Sequence, residues 1–343
     1  MFRFVLRHFN LYVLTLLVLC IFSFWLAYLF PGDPLVNLTG LTLNDPADYQ
    51  AMAQKYHMDS GILVQFWHYL VLLWDGDWGF SFSSGLPLYQ EIFDSLPATV
   101  ELSTYALLLS LLIGIPLGFL AGLRHHRTTD NALLAASVVG YSTPVFWLAL
   151  LMILLFSLQL GWFPLSGRIS LLFDVPHDTG FILVDIWLSD MPNKGAAMIN
   201  AVQHMVMPVL SITIVTTAIV LRLTRRAVVE VMPKEYVQAA YARGLSKHQV
   251  ILRHVVRNAM LPILPLLAMQ STILLTNAMI VEVIYSWPGI GNWLIQAIYQ
   301  RDYPAIRAGM LAVSTLVVSL TIFIDLLARI IDPTRERGAR AKI

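Results

Sequence analysis

The chain has 343 residues, of which 57% are hydrophobic and 13% charged, with a formal net charge of +1. A soluble domain carries roughly 25% charged residues, so this composition excludes an ordinary water-soluble protein and makes lipid the main solvent. The lone cysteine, Cys20, excludes a disulfide within the chain and argues against a cysteine-built metal site; it reads as a small packing residue.

A membrane-spanning helix needs about 20 mostly apolar residues. Six segments qualify: 9–30, 98–122, 132–158, 205–225, 259–284 and 306–330. The first follows Arg3 and Arg7 but is too long for the core of a signal peptide. Pro31-Gly-Asp-Pro34 follows it in place of a small-x-small cleavage site, so it is expected to be a retained anchor. Two excursions, 31–97 and 159–204, are too long for simple hairpin connections. The first contains Ile62–Trp74, too short to span and rich in Trp, Tyr and Leu. Such a run suits a helix lying at the membrane interface or packed on the bundle. The second has a short apolar run, 181–188, beside Asp185, Trp187 and Asp190. The acids of both excursions, among them Asp33, Asp45, Asp77, Asp94 and Asp190, could form a vestibule attracting cations. A solvated outer surface is the simpler account.

Charge sets the orientation. With the N-terminus inside, only Lys55, Arg168, Lys194, Arg301 and Arg307 of the 22 Lys and Arg residues fall outside. Cytosolic loops carry the excess of Lys and Arg, so both termini are expected in the cytosol. The basic tail Arg335–Lys342 is expected to act as a topology anchor near anionic lipid.

Catalytic signatures are missing. There is no Gly-x-x-x-x-Gly-Lys-Ser/Thr phosphate loop and no His-Glu-x-x-His metal helix. Gly140-Tyr-Ser142 begins like a nucleophile elbow, but Pro144 stands where the closing glycine belongs. Gly140, Ser142 and Pro144 read instead as a kink and close-packing point in the third span. His125, His126, His204, His248 and His254 lie near helix ends or in the basic loop, as solvated or capping groups do. Ionisable residues inside spans are costly and need an account. Asp325 and Arg329 stand at i,i+4. Glu101 and Glu282 fall near the outer ends of their spans, where they could snorkel to water, as Arg222 could at the inner end of the fourth.

The densest information lies in 235–262. Gln238-Ala239-Ala240 is followed by Gly244. Small residues permit close approach to another surface, and glycine permits the positive-φ turn that ends a short helix. Leu245 follows, and Ser246 can cap the next helix, which carries Lys247, Arg253 and Arg257 and leads into the fifth span. This pattern suits a docking point for a soluble partner.

That segment resembles the cytosolic coupling loop, or EAA loop, of bacterial ABC-transporter permeases. Ala239, Ala240 and Gly244 match, while Gln238 stands in place of the common glutamate. The late Leu261-Pro262 pair is similar to the peptide and nickel branch. Further stretches resemble the B-type permeases of that branch in order: Pro31-Gly-Asp-Pro34; Gly76-Asp-Trp-Gly-Phe-Ser81; Leu96-Pro-Ala-Thr-Val-Glu-Leu102; Gly114-Ile-Pro116-Leu-Gly118; Ser142-Thr-Pro144-Val-Phe-Trp147; and Glu282-Val-Ile-Tyr-Ser-Trp287-Pro288-Gly289-Ile-Gly291. Gly161–Arg168 and the stretch up to Asp190 are most similar to the Sap type.

The resemblance implies an all-α membrane protein of six transmembrane helices. Its core would be a type I ABC importer (MetI-like) permease with an extra N-terminal helix and periplasmic excursions. The division would be an anchor (1–30), a periplasmic segment (31–97), a core (98–331) holding a coupling loop (226–258), and a cytosolic tail (332–343). Glu235, Tyr236, Gln238, Ala239, Ala240, Gly244 and Leu245 would couple to the ATPase. Gly114, Pro116, Gly118, Ser142, Pro144 and Pro262 would serve kinks and packing. Implied partners are a second, C-type permease, two ATPase subunits that bind ATP and Mg, and a periplasmic solute-binding protein, with no nucleic acid. No cofactor or metal is expected in this chain. The cargo would be peptides or related cationic solutes; dipeptide, oligopeptide or nickel import and putrescine export are alternatives on the same architecture. A stand-alone secondary transporter and an intramembrane enzyme are the rivals outside it.

Overall fold

A computed structural model describes residues 2–42 and 45–331. The described residues form α1 (Phe2–Leu29), α2 (Pro34–Thr39), α3 (Pro46–Lys55), α4 (Ile62–Trp74), α5 (Leu88–Leu123), α6 (Thr128–Ser142), α7 (Val145–Met152), α8 (Ile182–Leu188), α9 (Lys194–Val231), α10 (Glu235–Ala242), α11 (Lys247–Val250), α12 (Arg257–Ile284), α13 (Ile290–Gln300) and α14 (Tyr303–Ile331). Wider π-helical turns extend α7 to Gln159 and join α11 to α12.

Four helices, α1, α5, α9 and α14, are long and apolar enough to cross a membrane by themselves. At 28 residues, α12 has the length of a fifth crossing. The expected third span differs from a single helix: it is broken between α6 and α7, whose axes meet at 94°. Thr143 and Pro144 are extended at the break. Proline disfavours a helical conformation in the residue before it, and the Thr143 hydroxyl bonds back to the Val139 carbonyl at 2.8 Å. Ser142 and Pro144 are both exposed on this elbow. Two spans overrun their expected bounds by ten residues or more. α5 starts ten residues early, at Leu88, and α9 extends both ways from 205–225, to Lys194 and Val231.

α9 is the axis of the fold. Of its most apolar stretch, 61% is buried within the chain, against 22% for α1 at the periphery. The α5–α9 seam explains the closeness. A methyl group on Gly114 would lie 2.8 Å from Val220 Cγ1, and one on Gly118 2.5 Å from Thr224 Cβ. Gly122, one turn further, would meet Val228 Cβ at 2.6 Å. Glycines four apart let helix backbones touch where apolar burial alone gives no drive. Pro116 sits between them on the exposed side. The Arg335–Lys342 tail lies outside the described residues, as do the side chains of Pro262, Asp325 and Arg329.

Candidate functional site

At the basic end of the bundle α10 lies as a short, separate helix. Val237 and Ala240 are buried on the C-terminal end of α9, against Ala227, Val228 and Val231, and on Val250 and Val255 of the segment leading into α12. Glu235, Tyr236, Gln238 and Ala239 face outward, as does Arg243. Glu235 in the first turn suits the positive end of the helix dipole.

The stop is a glycine cap. The Gly244 N–H donates to Tyr241 O at 2.9 Å and the Leu245 N–H to Ala240 O at 3.4 Å. These are the two bonds of a Schellman motif, completed by Leu245 packing on the same apolar cluster. Gly244 has φ +79°, a conformation other L-residues adopt at a cost. Ser246 and Gln249 then form a reciprocal capping box. From Lys247 the helix runs without a break into α12. The basic half of the loop is therefore the first part of the fifth span.

Nearby, a polar clamp fixes the α5–α6 connection to α9. Asp130, buried, accepts from Arg225 Nε at 2.6 Å and Nη2 at 2.8 Å, and from the His126 N–H at 3.0 Å. His125 Nδ1 lies 3.1 Å from the same carboxylate. Arg222 places its guanidinium 4.2 Å from the Tyr141 ring centre.

The opposite end corrects two expectations. Glu101 and Glu282 do not snorkel to water: both are fully buried. Glu101 pairs with an arginine, and Glu282 caps the short helix that follows it in sequence. Glu101 binds Arg168, whose Nε donates at 3.0 Å, and accepts from Tyr105 OH at 3.4 Å. Arg168 also donates to Gly180 O at 2.6 Å and lies over Trp287. Glu282 accepts from the N–H groups of Gly291 at 2.8 Å and Asn292 at 3.2 Å, in the first turn of α13. The carboxylate does the work of a capping side chain that Gly289, at the N-cap, lacks. A methyl on Gly289 would stand 2.3 Å from Glu282 Cδ, and one on Gly291 2.7 Å from Oε2. Trp287, fully buried, donates to Ala98 O at 3.0 Å, while Pro288 is exposed.

Sequence reasoning gave no site role to Arg168, Thr99, Asp302 and Arg307. Thr99 Oγ1 accepts the Ile290 N–H at 2.9 Å. Asp302 accepts from Ser81 Oγ at 2.6 Å and from the Ser83 N–H at 3.0 Å. Arg307 is buried and donates to Tyr69 OH, Leu38 O and Trp78 O. The available signal was a carboxylate inside an apolar run, which demands a partner. Several acids of the two excursions are likewise engaged locally. Asp33 and Asp45 cap α2 and α3, Asp77 pairs with Lys55, and Asp185 holds Thr179 and Gly180. That engagement favours a built surface over a free acidic vestibule. Among the described residues no group of three or more His, Cys, Asp or Glu side chains is placed to hold a metal ion.

A bundle of crossings with one broken span and a short helix perched on its basic end is the architecture of a multi-pass transport permease. Residues 114–337 match the family described as binding-protein-dependent transport system inner membrane component, and residues 1–103 match its N-terminal membrane component. The chain belongs to this family, as an inner-membrane permease that works with other components of an ABC transporter, and within it groups with SapB and DppB permeases. It is 39% identical over 334 residues to the putrescine export system permease protein SapB of Escherichia coli (strain K12), covering 97% of each chain. It is also 39% identical to the peptide transport system permease protein SapB of Salmonella typhimurium, again over 97% of each. Identity is 36% to the di/tripeptide transport system permease protein DppB of Pseudomonas aeruginosa, over 97% of this chain and 98% of that one. In fold it is similar to the MetNI methionine ABC transporter in an inward-facing conformation. There the TM-score is 0.52 at 16% identity, with 71% of this chain and 98% of that one covered.

Proposed function

We propose that this chain is the B-type permease subunit of an ATP-driven transporter for peptides or related cationic solutes, with α10 as its coupling helix. The observation that carries the reading is α10 itself: seated by Val237 and Ala240, with Tyr236, Gln238 and Ala239 turned to solvent. Its basic end would face the cytosol, in keeping with the distribution of Lys and Arg, and both termini would lie there. The partners would be a C-type permease, two ATPase subunits carrying ATP and Mg, and a periplasmic solute-binding protein.

Coupling would follow the packing. α10 rests on the end of α9 and on the continuous α11–α12 segment. A push on α10 by a closing ATPase pair would therefore reach the axial helix and the fifth crossing together. The π-helical turns at Ile251–Val256 form part of the seat, through Val255, and run directly into the span; such wider turns recur at functional sites. Glu235, Tyr236, Gln238 and Ala239 would meet the ATPase. Ala240, Gly244 and Leu245 would hold the helix in its seat and set its angle. The Salmonella relative is named for peptides and the Escherichia coli K12 relative for putrescine, so putrescine export is the second reading to assay.

The test is reconstitution of the whole transporter with Ala239→Asp or Gly244→Asp. We expect normal insertion and assembly, with ATP hydrolysis freed from transport. Normal transport by both variants at normal expression would sink the assignment. Ala240→Asp is a different experiment, because that side chain is 4% exposed and the carboxylate would be driven into apolar packing. Peptide uptake and putrescine efflux, measured in the same vesicles, separate the two cargo readings.

A further inference from the structure

α4 has two unlike faces. Tyr69 and Gln65 are buried toward α1: the Tyr69 hydroxyl meets Ser23 Oγ at 2.9 Å, and Gln65 accepts from Tyr28 OH. The Phe24 ring packs 5.5 Å from both Phe66 and Tyr69. The other face is bare. Leu63 is 81% exposed, Trp67 65% and Trp74 91%, and Val71 lies on the same stripe.

Depth decides what covers that stripe. α1 ends at Leu29, so Ser23 lies about 9 Å below the end of the helix at 1.5 Å per residue. α4 is thus docked beside the last turns of a membrane span. α1 is apolar on its free side up to that end, with Phe22, Trp25 and Leu29 all exposed. The stripe on α4 continues this lipid-facing surface. From Ile62 to Trp74 the helix carries no Lys, Arg, Asp or Glu, and Asp75 follows at once. α1 is also the least enclosed of the long spans, so α4 stands on the periphery of the bundle, away from the α9 axis.

We infer that α4 lies along the membrane surface with Leu63, Trp67, Val71 and Trp74 sunk into the boundary between headgroups and acyl chains. A helix so placed buries its apolar face roughly 5–10 Å into that boundary, and tryptophan concentrates there. Interfacial helices usually turn a basic face to water; here the protein itself covers the polar side, through Gln65 and Tyr69. The result fastens the 31–97 excursion to lipid as well as to Arg307, and the inference holds whichever way the chain is oriented.

Site-directed spin labelling of the full chain with its copurified partners, in lipid nanodiscs, tests this. On a Cys20→Ser background, labels go at Leu63, Trp67 and Trp74, with exposed Gln54 of α3 as the water-side control. The expected result is relaxation by oxygen several-fold stronger than by a nickel chelate at the three stripe positions, and the reverse at Gln54. Relaxation by the nickel chelate at the stripe would overturn the inference in favour of a water-washed helix. Shielding from both reagents would overturn it in favour of a protein partner.

Discussion

The far end of this bundle and the helix perched on its basic end, α10, are built on opposite plans. At the far end, charges are buried and hydrogen-bonded: Glu101 with Arg168, Glu282 through one oxygen with the start of α13, Asp302 with Ser81 and Ser83. At the basic end, α10 is held almost wholly by aliphatic contacts, and its polar groups face out. Buried hydrogen-bonded charges have few alternative arrangements, because each one demands its partner. An aliphatic seat tolerates small slides at little cost. Under the coupling role proposed for α10, the difference would let that helix move while the far end keeps its shape.

The sharpest way to break that comparison is to orphan a charge. Arg168→Ala leaves Glu101 buried without its cation, and breaking such a pair costs about 3–5 kcal/mol. We expect a large fall in the thermal midpoint of the purified permease, or loss of expression. The double variant Glu101→Gln/Arg168→Met should recover most of it, since removing both charges of a buried pair is often neutral. If the single variant melts like the parent, the far end is not locked by this pair.

A smaller effect is expected at the Glu282 cap. Gly289→Ala places a methyl into the carboxylate it shelters, although φ −97° at that position suits any residue. The cost of such overpacking is about 1–3 kcal/mol. Combining it with Glu282→Ala should relieve the clash, so the two changes should be less than additive in thermal melts. Simple additivity would show that the carboxylate does not sit on the glycine.

How much of this was open to sequence reading follows from the physics of each part. Spans announce themselves by length and apolarity, and the Ala239-Ala240…Gly244 pattern marked α10, because helix stops and small residues are local signals. The 94° break was legible only as a kink, since Pro144 fixes that the helix stops but not where α7 goes next. Ala239 and Ala240 were indistinguishable in sequence. Only the seat on α9 shows that one faces out and the other in. The partners of Glu101 and Glu282 were hidden for another reason: Arg168 stands 67 residues from Glu101, and Glu282 serves a helix that starts beyond a loop, relations no local pattern carries.

The mildest perturbation tests the basic end. Gly244→Ala adds no charge and meets nothing within 4 Å, so its effect comes only from forcing a side chain to φ +79°. That costs about 1–2 kcal/mol, spread over a helix whose seat is aliphatic. The thermal midpoint, governed by the larger bundle, should move by no more than a few degrees. Coupling should suffer more, because relaxing the turn tilts α10 away from the angle at which Tyr236 and Ala239 are presented. The readout is the ratio of transport to ATP hydrolysis in the reconstituted complex, set beside the melt. A drop in that ratio with a nearly unchanged melt separates presentation of the helix from stability of the fold. A matched loss of both would mean that the glycine cap serves folding alone, and that the two ends of the bundle are less distinct than their packing suggests.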